Sequence, residues 1–457
     1  MTTEAKKKPI NRLKSMYALR GYVDKIYQSG QKAKAEGRPI AWCMAEGWAN
    51  PILEAMDIEC IYPENYGTIC AASGAARPFL ERSEAEGFPT HMCGYARNGL
   101  GYAARMMELD GEIPPEAPQG GMPRPMLLVA SGMGCDARFK WFQAMGRYLD
   151  APLWTLESPA PGLKESLREG AYERDVHLLV KELRNFVTFL EDLLGKKMAW
   201  DRLNVTRDGT REMNKVWWEV NELRKARPGP MHSRDFWSSM SASMYRGATD
   251  HEAITALYRD MYDEVKYRVD NNIAAINYPE RYRLTFIGLP PWHSLGFFDK
   301  LAERGWNFVT EAAYHPPKPF TIDLSKYDDP MERYVRSRYR GMASFIDEEF
   351  EPGEAARIRD EIVQQGTAHR LYHGGIRSFQ IDGAFLHPLL TCRAASFGLP
   401  LLQTQLLEVY KVPSIIIEGD IVDTNLFNPD EALRKCEAFE ETMDYYKKVR
   451  KEAGLWW

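Results

Sequence analysis

The chain has 457 residues, among them 12 Trp, 23 Tyr and 19 Phe; this excludes a disordered or collagen-like protein, and a chain of this length buries ~75% of its unfolded surface without needing disulfide staples. Its 59 basic and 64 acidic residues leave a net charge of −5 and an isoelectric point near 6.1, against the basic face expected of a nucleic-acid binder. No stretch approaches the ~20 apolar residues of a membrane span and the first residues lack the apolar run of an export signal, so the seven cysteines are expected as reduced thiols in the cytoplasm.

Residues 1–37 read as a polar helical extension, with Leu13, Met16, Leu19, Val23, Ile26 and Tyr27 as a loose apolar stripe. Two strand-like runs follow, Pro39 to Met44 and Ile58 to Pro63, separated by a short helix over Pro51 to Met56. Strand, helix and strand in so short a span predict a parallel crossover. The unit recurs as Pro125 to Ala130, a Gly-rich turn (Ser131-Gly132-Met133-Gly134-Cys135), a helix over Arg138 to Leu149, and Ala151 to Leu156. The middle of the chain reads as helix. Val176, Leu179, Val180, Leu183, Phe186, Val187, Leu190 and Leu194 recur at helical spacing, and Gly195 supplies the stop; this stripe is read as core.

A second α/β half begins near Arg281. It contains Arg283 to Gly288, the loop Leu289-Pro290-Pro291-Trp292-His293-Ser294, a helix over Leu295 to Arg304, and Trp306 to Thr310. A charged helical segment spans Asp329 to Gln365. A last unit runs from Gly383-Ala384-Phe385-Leu386-His387 through a Cys-containing loop to Val412–Glu418, and a helix over Asn428 to Ala453 closes the chain. The economical reading is α/β, with two doubly wound parallel-sheet domains. The divisions are a helical extension (1–37), a first α/β domain (38–162), a helical segment (163–272) and a second α/β domain with a C-terminal helix (273–457).

In open α/β sheets, ligands bind beyond the carboxyl ends of the strands, which directs attention to the residues that follow each strand. Cys93, Cys135 and Cys392 each precede a helical run, where a helix N-terminus and nearby arginines such as Arg97 and Arg393 favour a thiolate. Their spacings form no CxxC pair, so the residues alone leave each one open between a ligand and a small buried side chain. Cys43, Cys60 and Cys436 lie in apolar runs and read as core, while Cys70 is ambiguous. There is no Walker loop, no GxGxxG with an acidic partner, no GxSxG elbow and no HExxH. A self-contained ATP or NAD enzyme is therefore not expected.

Several segments taken together resemble one family. They are Tyr62-Pro63-Glu64-Asn65, Cys93-Gly94-Tyr95-Ala96-Arg97-Asn98, and Gly132-Met133-Gly134-Cys135 with Lys140-Trp141-Phe142. Further on come Cys392-Arg393, Val412 to Asp423 and Cys436-Glu437-Ala438-Phe439-Glu440. From about residue 38 to 448 the chain resembles (R)-2-hydroxyacyl-CoA dehydratase subunits and the catalytic subunits of ATP-dependent (class I) benzoyl-CoA reductase. Ala226 to Pro230, Arg246-Gly247 and Tyr282-Arg283-Leu284 make it most like the larger of the two catalytic reductase subunits.

The resemblance implies two flavodoxin-like domains, a homologous second catalytic subunit, and an ATP-hydrolysing iron–sulfur protein that donates electrons. ATP would then be bound on partner subunits. It also implies a 4Fe-4S cluster on Cys93, Cys135 and Cys392, with one iron lacking a thiolate, and an acyl-CoA substrate. Benzoyl-CoA ring reduction is the first expected activity. Elimination of water from a 2-hydroxyacyl-CoA through a ketyl radical is the alternative, and a non-catalytic partner subunit that shapes the CoA pocket is the third reading. Glu64, His293 and His387 are the candidate proton relay. Trp48, Tyr62, Asn65 and Trp292 are the candidate substrate contacts, although ordinary core packing is open to each of them.

Overall fold

The computed structural model describes residues 8–44, 47–131, 135, 137–159, 162–365, 374–455 and 457. Helix α1 (Ser15–Ala35) turns Met16, Leu19, Ile26 and Tyr27 inward, as their helical spacing requires. The first sheet consists of β1 (Ile40–Cys43), β2 (Glu59–Ile61), β3 (Leu127–Ser131) and β4 (Leu153–Leu156). All its pairings are parallel and its order is β2-β1-β3-β4. Every residue of β1 and β3 is buried, because a central parallel strand is covered on both faces and therefore needs an unbroken apolar run. The crossovers carry α2 (Asn50–Ala55), α3 (Pro63–Ser73), α4 (Arg77–Ala85), α5 (Gly94–Glu108) and α6 (Ala137–Leu149).

Four helices follow, α7 (Leu163–Ser166), α8 (Ala171–Leu194), α9 (Trp200–Leu223) and α10 (Ser233–Asp270). The stripe of α8 packs as core, with Val176, Leu179, Leu183, Phe186, Val187 and Leu190 buried. Gly195 ends the helix at φ +62°, a left-handed conformation that carries no Cβ penalty in glycine.

The second sheet repeats the topology of the first. It contains β5 (Tyr282–Gly288), β6 (Trp306–Glu311), β7 (Gly383–His387) and β8 (Ser414–Ile416) in the order β6-β5-β7-β8, again parallel throughout. Its helices are α11 (Phe297–Glu303), α12 (Pro330–Arg336), α13 (Met342–Glu349), α14 (Pro352–Gln365), α15 (Gly374–Ser378), α16 (Arg393–Ser396), α17 (Leu399–Tyr410) and α18 (Pro429–Glu452). The charged segment read as one helical stretch is thus three helices. Gly341 caps the start of α13 and Pro352 opens α14, and both residue types interrupt a continuing helix. The last strand is shorter than the apolar run suggests, because Pro413 offers no N–H to a ladder and β8 lies at the sheet edge. Both sheets have the flavodoxin-like strand order, with the reversal between their first and third strands. Among the described residues no helix is long and apolar enough to cross a membrane.

Candidate active site

The reversal of strand order opens a crevice at the carboxyl ends of β1 and β3 in one sheet, and of β5 and β7 in the other. Cys135 follows β3, and Cys392 follows β7 and caps the N-terminus of α16. Cys93 caps the N-terminus of α5. The fold brings the three together: burial pushes the Cys93 thiol up, the Ala96 N–H pulls it back, and Cys392, Asp420 and Cys135 push it up again through their charge. All three cysteines are partly exposed, whereas Cys43, Cys70 and Cys436 are fully buried. Burial pushes the thiols of Cys70 and Cys436 to about 12, and that of Cys93 up likewise, so the shift alone does not set the three apart. Cys60 is partly exposed as well, and its thiol points back to the Ile58 carbonyl, just before its own strand. Gly132, Met133, Gly134 and Asp136, part of the Gly-rich turn, lie outside the described residues.

The loops that carry the cysteines are fastened by buried charge. The carboxylate of Asp420 accepts the backbone N–H groups of Val422 and Asp423 at 2.9 and 2.8 Å and the hydroxyl of Thr391, next to Cys392. Arg97, fully buried on α5, donates to Asp423 at 3.0 Å and to the Thr90 carbonyl at 3.1 Å, and pairs with Glu84. Its charge is thus committed to fixing the start of α5. Gly94 completes the junction, because a Cβ there would lie 2.5 Å from Asp420 Oδ1 and 3.0 Å from Val422 Cβ.

Beside this crevice is a buried cluster of hydroxyls around Glu64. Glu64, in the first turn of α3, pairs with Arg138 at 3.3 Å. Tyr95, Tyr245 and Tyr314 all feel its charge, and burial foremost pushes each of these phenols up, so they hold their protons. Tyr95 accepts from Thr68 at 3.1 Å and from the Trp292 indole at 2.7 Å. Its own proton is left to bond Tyr314. Tyr314 sits at φ +70°, a left-handed backbone that is rare for a bulky residue and typical of strain held at a functional position.

Tyr314 also lines a cavity of about 220 Å³ together with Met213, Met240, Met244 and Trp217. That cavity shares Gly47, Thr210, Asn214, Pro317 and Arg338 with an outer cleft of about 890 Å³. Five cations line the cleft: Arg211, Lys215, Lys318, Arg338 and Arg340. Its two carboxylates, Asp208 and Glu212, are each paired with an arginine outside the lining, Arg207 and Arg259. The cationic cleft thus adjoins a Met- and aromatic-lined cavity walled by Tyr314, and Tyr314 bonds Tyr95, two residues from Cys93.

Of the residues singled out in the sequence, Trp48 lines the outer cleft, Trp292 donates to Tyr95, and Glu64 acts through its charge on Tyr95, Tyr245 and Tyr314. Tyr62 packs on Tyr245 with ring centroids 4.8 Å apart, and Asn65 accepts from Tyr27 at 2.8 Å and bonds Tyr245, so both stand behind the hydroxyl cluster. His293 Nε2 lies 3.0 Å from the Asp420 carbonyl oxygen, and burial pushes the pKa of the ring down; since a carbonyl only accepts, Nε2 carries the proton. Tyr95, Tyr245 and Tyr314 escaped the sequence reading, since nothing in their spacing shows that three tyrosines 69 to 219 residues apart share one carboxylate. The only local signal was the position of Tyr95 beside Cys93.

His387 lies elsewhere, sealed among Phe286, Phe385 and Phe427, with Nδ1 donating to the Ile417 carbonyl at 2.6 Å. Burial pushes its pKa down to about 4, while an unfolded imidazole titrates near ~6.5. The unfolded chain thus binds more protons between those values. The stability that neutral His387 contributes is complete above the unfolded value and is lost as pH falls through the folded one, by roughly 3 kcal/mol in all. In His387→Asn the amide still donates to Ile417, and we expect a flatter dependence across this range. Denaturant unfolding at several pH values checks this; an unchanged slope contradicts it.

Three cysteines at loop ends, two of them close enough to Cys93 to act on its thiol and backed by the close approach at Gly94, fit an iron–sulfur cluster, whose usual ligands are cysteine thiolates. Among the described residues no three His, Cys, Asp or Glu side chains stand close enough to hold one metal ion, and a four-iron group spreads its ligands more widely than a single ion does.

The family model described as 2-hydroxyglutaryl-CoA dehydratase, D-component, matches residues 48–443. The chain is 23% identical to the alpha subunit of lactoyl-CoA dehydratase from Anaerotignum propionicum, over 94% of this chain and 97% of that one. It is 22% identical to the alpha subunit of (R)-2-hydroxyglutaryl-CoA dehydratase from Acidaminococcus fermentans, over 93% and 96%. It is also 22% identical to a benzoyl-CoA reductase subunit from Thauera aromatica, over 90% of each chain.

Proposed function

The chain belongs to the 2-hydroxyglutaryl-CoA dehydratase D-component family, and from that premise we propose that it is the catalytic subunit of an aromatic acyl-CoA reductase driven by low-potential electrons. The observation that carries the reading is the proximity of Cys135 and Cys392 to Cys93; it is supported by a cation-lined cleft and a Met- and aromatic-lined cavity whose wall includes Tyr314. The three cysteines would hold a 4Fe-4S cluster, which supplies single electrons of low potential when bound. The relatives are named as subunits, and we place this chain likewise in a hetero-oligomer, with a homologous partner and an ATP-hydrolysing electron donor.

The chain's own residues have separate tasks. Arg211 and Lys215 give the cleft the field that draws the phosphates of CoA. The Met-lined chamber excludes water from the acyl group, which a strongly reducing site requires. Tyr314, bonded to Tyr95 and held by strained backbone, is the proton donor nearest the chamber. Glu64 with Arg138 sets the charge behind it. Tyr314→Phe should lower turnover by about 10²–10⁴-fold, the usual contribution of a positioned proton donor, while leaving acyl-CoA affinity within about threefold. A steady-state comparison checks this; unchanged turnover removes Tyr314 from the relay.

A second reading is dehydration of a 2-hydroxyacyl-CoA. The lactoyl, phenyllactyl, 2-hydroxyglutaryl and 2-hydroxyisocaproyl-CoA dehydratase alpha subunits match at 22–23% identity, as closely as the reductase relative does. Electron counting separates the two. With the complex, reductant and ATP, ring reduction consumes electrons in proportion to product, whereas dehydration returns them. Turnover without net electron consumption would overturn the reductase reading.

A further inference from the structure

We propose a second ligand site in this chain, separate from the acyl-CoA cleft, on the face of the second sheet turned away from its aromatic core. It takes an uncharged planar ring with a hydrogen-bonding edge, of the nucleobase class, and Thr285 and Thr310 read that edge. The inference goes beyond the acyl-CoA reading and does not depend on it.

The site is a pocket of about 760 Å³, within the roughly 300–1,000 Å³ usual for small-molecule sites. Its floor is one face of β5 and β6. Phe286 and Phe308 point into the aromatic core, against Phe298 and Phe385. Thr285 and Ile287, one residue to either side of Phe286, therefore face the other way. In unbroken register Val309 would stand beside Thr285. A register shift between Leu284 and Thr285 places Thr310 there instead, and bulges of this kind re-aim side chains next to functional sites. Trp218 of α9, Phe345 and Phe350 at the two ends of α13, Ile376 of α15 and Leu402 of α17 wall the pocket.

The polar groups define the ligand. Thr285 and Thr310 are 4% and 5% exposed. Neither hydroxyl has a hydrogen-bond partner among the described residues, and neither oxygen is sealed from the pocket. A hydroxyl donates once and accepts twice, so two side by side match an edge that carries both a donor and an acceptor. Each bond made there relieves a polar group that is otherwise unsatisfied. The charges of the wall are already matched. Lys225 pairs with Glu222 at 2.6 Å, Glu311 pairs with Arg224, and Lys318 donates to the Glu348 carbonyl at 3.4 Å. Burial foremost pushes the pKa of His315 down and leaves its ring neutral near pH 7. An ionised ligand would therefore be desolvated without a counter-charge. The half-buried rings of Trp218, Phe345 and Phe350 supply flat apolar surface for the faces of the ligand.

The pocket adjoins the acyl-CoA cleft without opening into it as one space. Arg340 lines the cleft, and its guanidinium lies over Phe320 of the cleft and Phe345 of the pocket, 6.0 and 5.2 Å from their centroids. It thus stands in the dividing wall. One strip of chain nevertheless borders both sides. Glu311, Ala312, His315 and Lys318 line the pocket, while Tyr314, His315 and Pro317 line the Met-walled chamber. A ring seated in the pocket rests against the strip that carries Tyr314.

Titration calorimetry of adenosine and of purine riboside into the anaerobically purified complex tests the site. Adenosine should bind with a Kd below about 1 mM. Purine riboside, which lacks the exocyclic amine, should bind about tenfold more weakly, the effect of one lost hydrogen bond. Thr285→Val and Thr310→Val, which suit a strand, should each weaken adenosine about tenfold and together erase its advantage over purine riboside. Saturating CoA should leave the adenosine Kd within about twofold. Hydrogen exchange of residues 311–318 should slow about threefold or more with adenosine, and not in the double variant. No binding of either nucleoside, or adenosine binding that survives both substitutions, overturns the site. Displacement of adenosine by CoA overturns its separateness, since the pocket would then hold part of the acyl-CoA. Adenosine binding with unchanged exchange overturns the contact with the Tyr314 strip.

Discussion

Replacing Cys93, Cys135 or Cys392 by alanine, one at a time, is expected to lower turnover by roughly a thousandfold or more in each case, because groups that act as one unit fail together when any member is lost. The three variants should remain folded. Each cysteine lies at the end of a loop and is partly exposed, and the Asp420 and Arg97 anchors that fasten these loops use other side chains. The matched control is Cys60→Ala, a partly exposed cysteine whose thiol bonds the carbonyl of Ile58 just before its strand, which should keep activity within about twofold. Iron content should fall with activity in the three variants and stay level in the control. Equal loss in all four, or loss confined to one, would break the link between the shared crevice and the chemistry.

The second large effect concerns stability. Arg224 and Glu311 face each other with both side chains 0% exposed, joined by two hydrogen bonds of 2.6 and 2.8 Å. Arg224 also reaches Asn221 and Ser233 and lies 4.0 Å from the ring centroid of Phe236. Burial pushes the Glu311 carboxyl up, and the guanidinium overrides it and holds the group below the usual carboxylate range. Arg224→Met leaves that carboxylate buried and unpaired, and removing one partner of such a pair costs about 3–5 kcal/mol. Denaturant unfolding should show it as a lower midpoint. Arg224→Met with Glu311→Leu should recover much of the loss, because exchanging a whole buried pair for apolar groups is often nearly neutral. A double variant as unstable as the single one would show that the pair's geometry, rather than the orphaned charge, carries the effect.

The central strands were legible because burial on both faces leaves a strong pattern. The runs at Ala41–Cys43, Leu127–Ala130 and Gly383–His387 are apolar or small at nearly every position and became β1, β3 and β7. The α8 stripe was equally plain, since eight apolar residues at helical spacing admit little else. The site was legible only in part. The residues flanking Cys93 and Cys392 could be read, but their meeting depends on two sheets presenting their crevices to each other, which no local spacing encodes. The tyrosines around Glu64 were invisible for the same reason, and the strained backbone of Tyr314 follows from tertiary packing rather than from its own propensity. The chamber could not be read from the sequence: Met213, Trp217, Met240 and Met244 come from α9 and α10, and a helix face lining a cavity has the same periodicity as one packed against a neighbour. His387 ends a strand, as a ligand residue would, yet the turn that follows seals it among phenylalanines.

The most direct test of the central claim, that Cys93, Cys135 and Cys392 form one cluster site, is iron and acid-labile sulfide analysis on protein purified without oxygen, with an EPR spectrum of the reduced sample. About four iron and four sulfide per chain, with a signal from the reduced cluster, is the predicted result. Iron-free, correctly folded protein that retains full activity would contradict it.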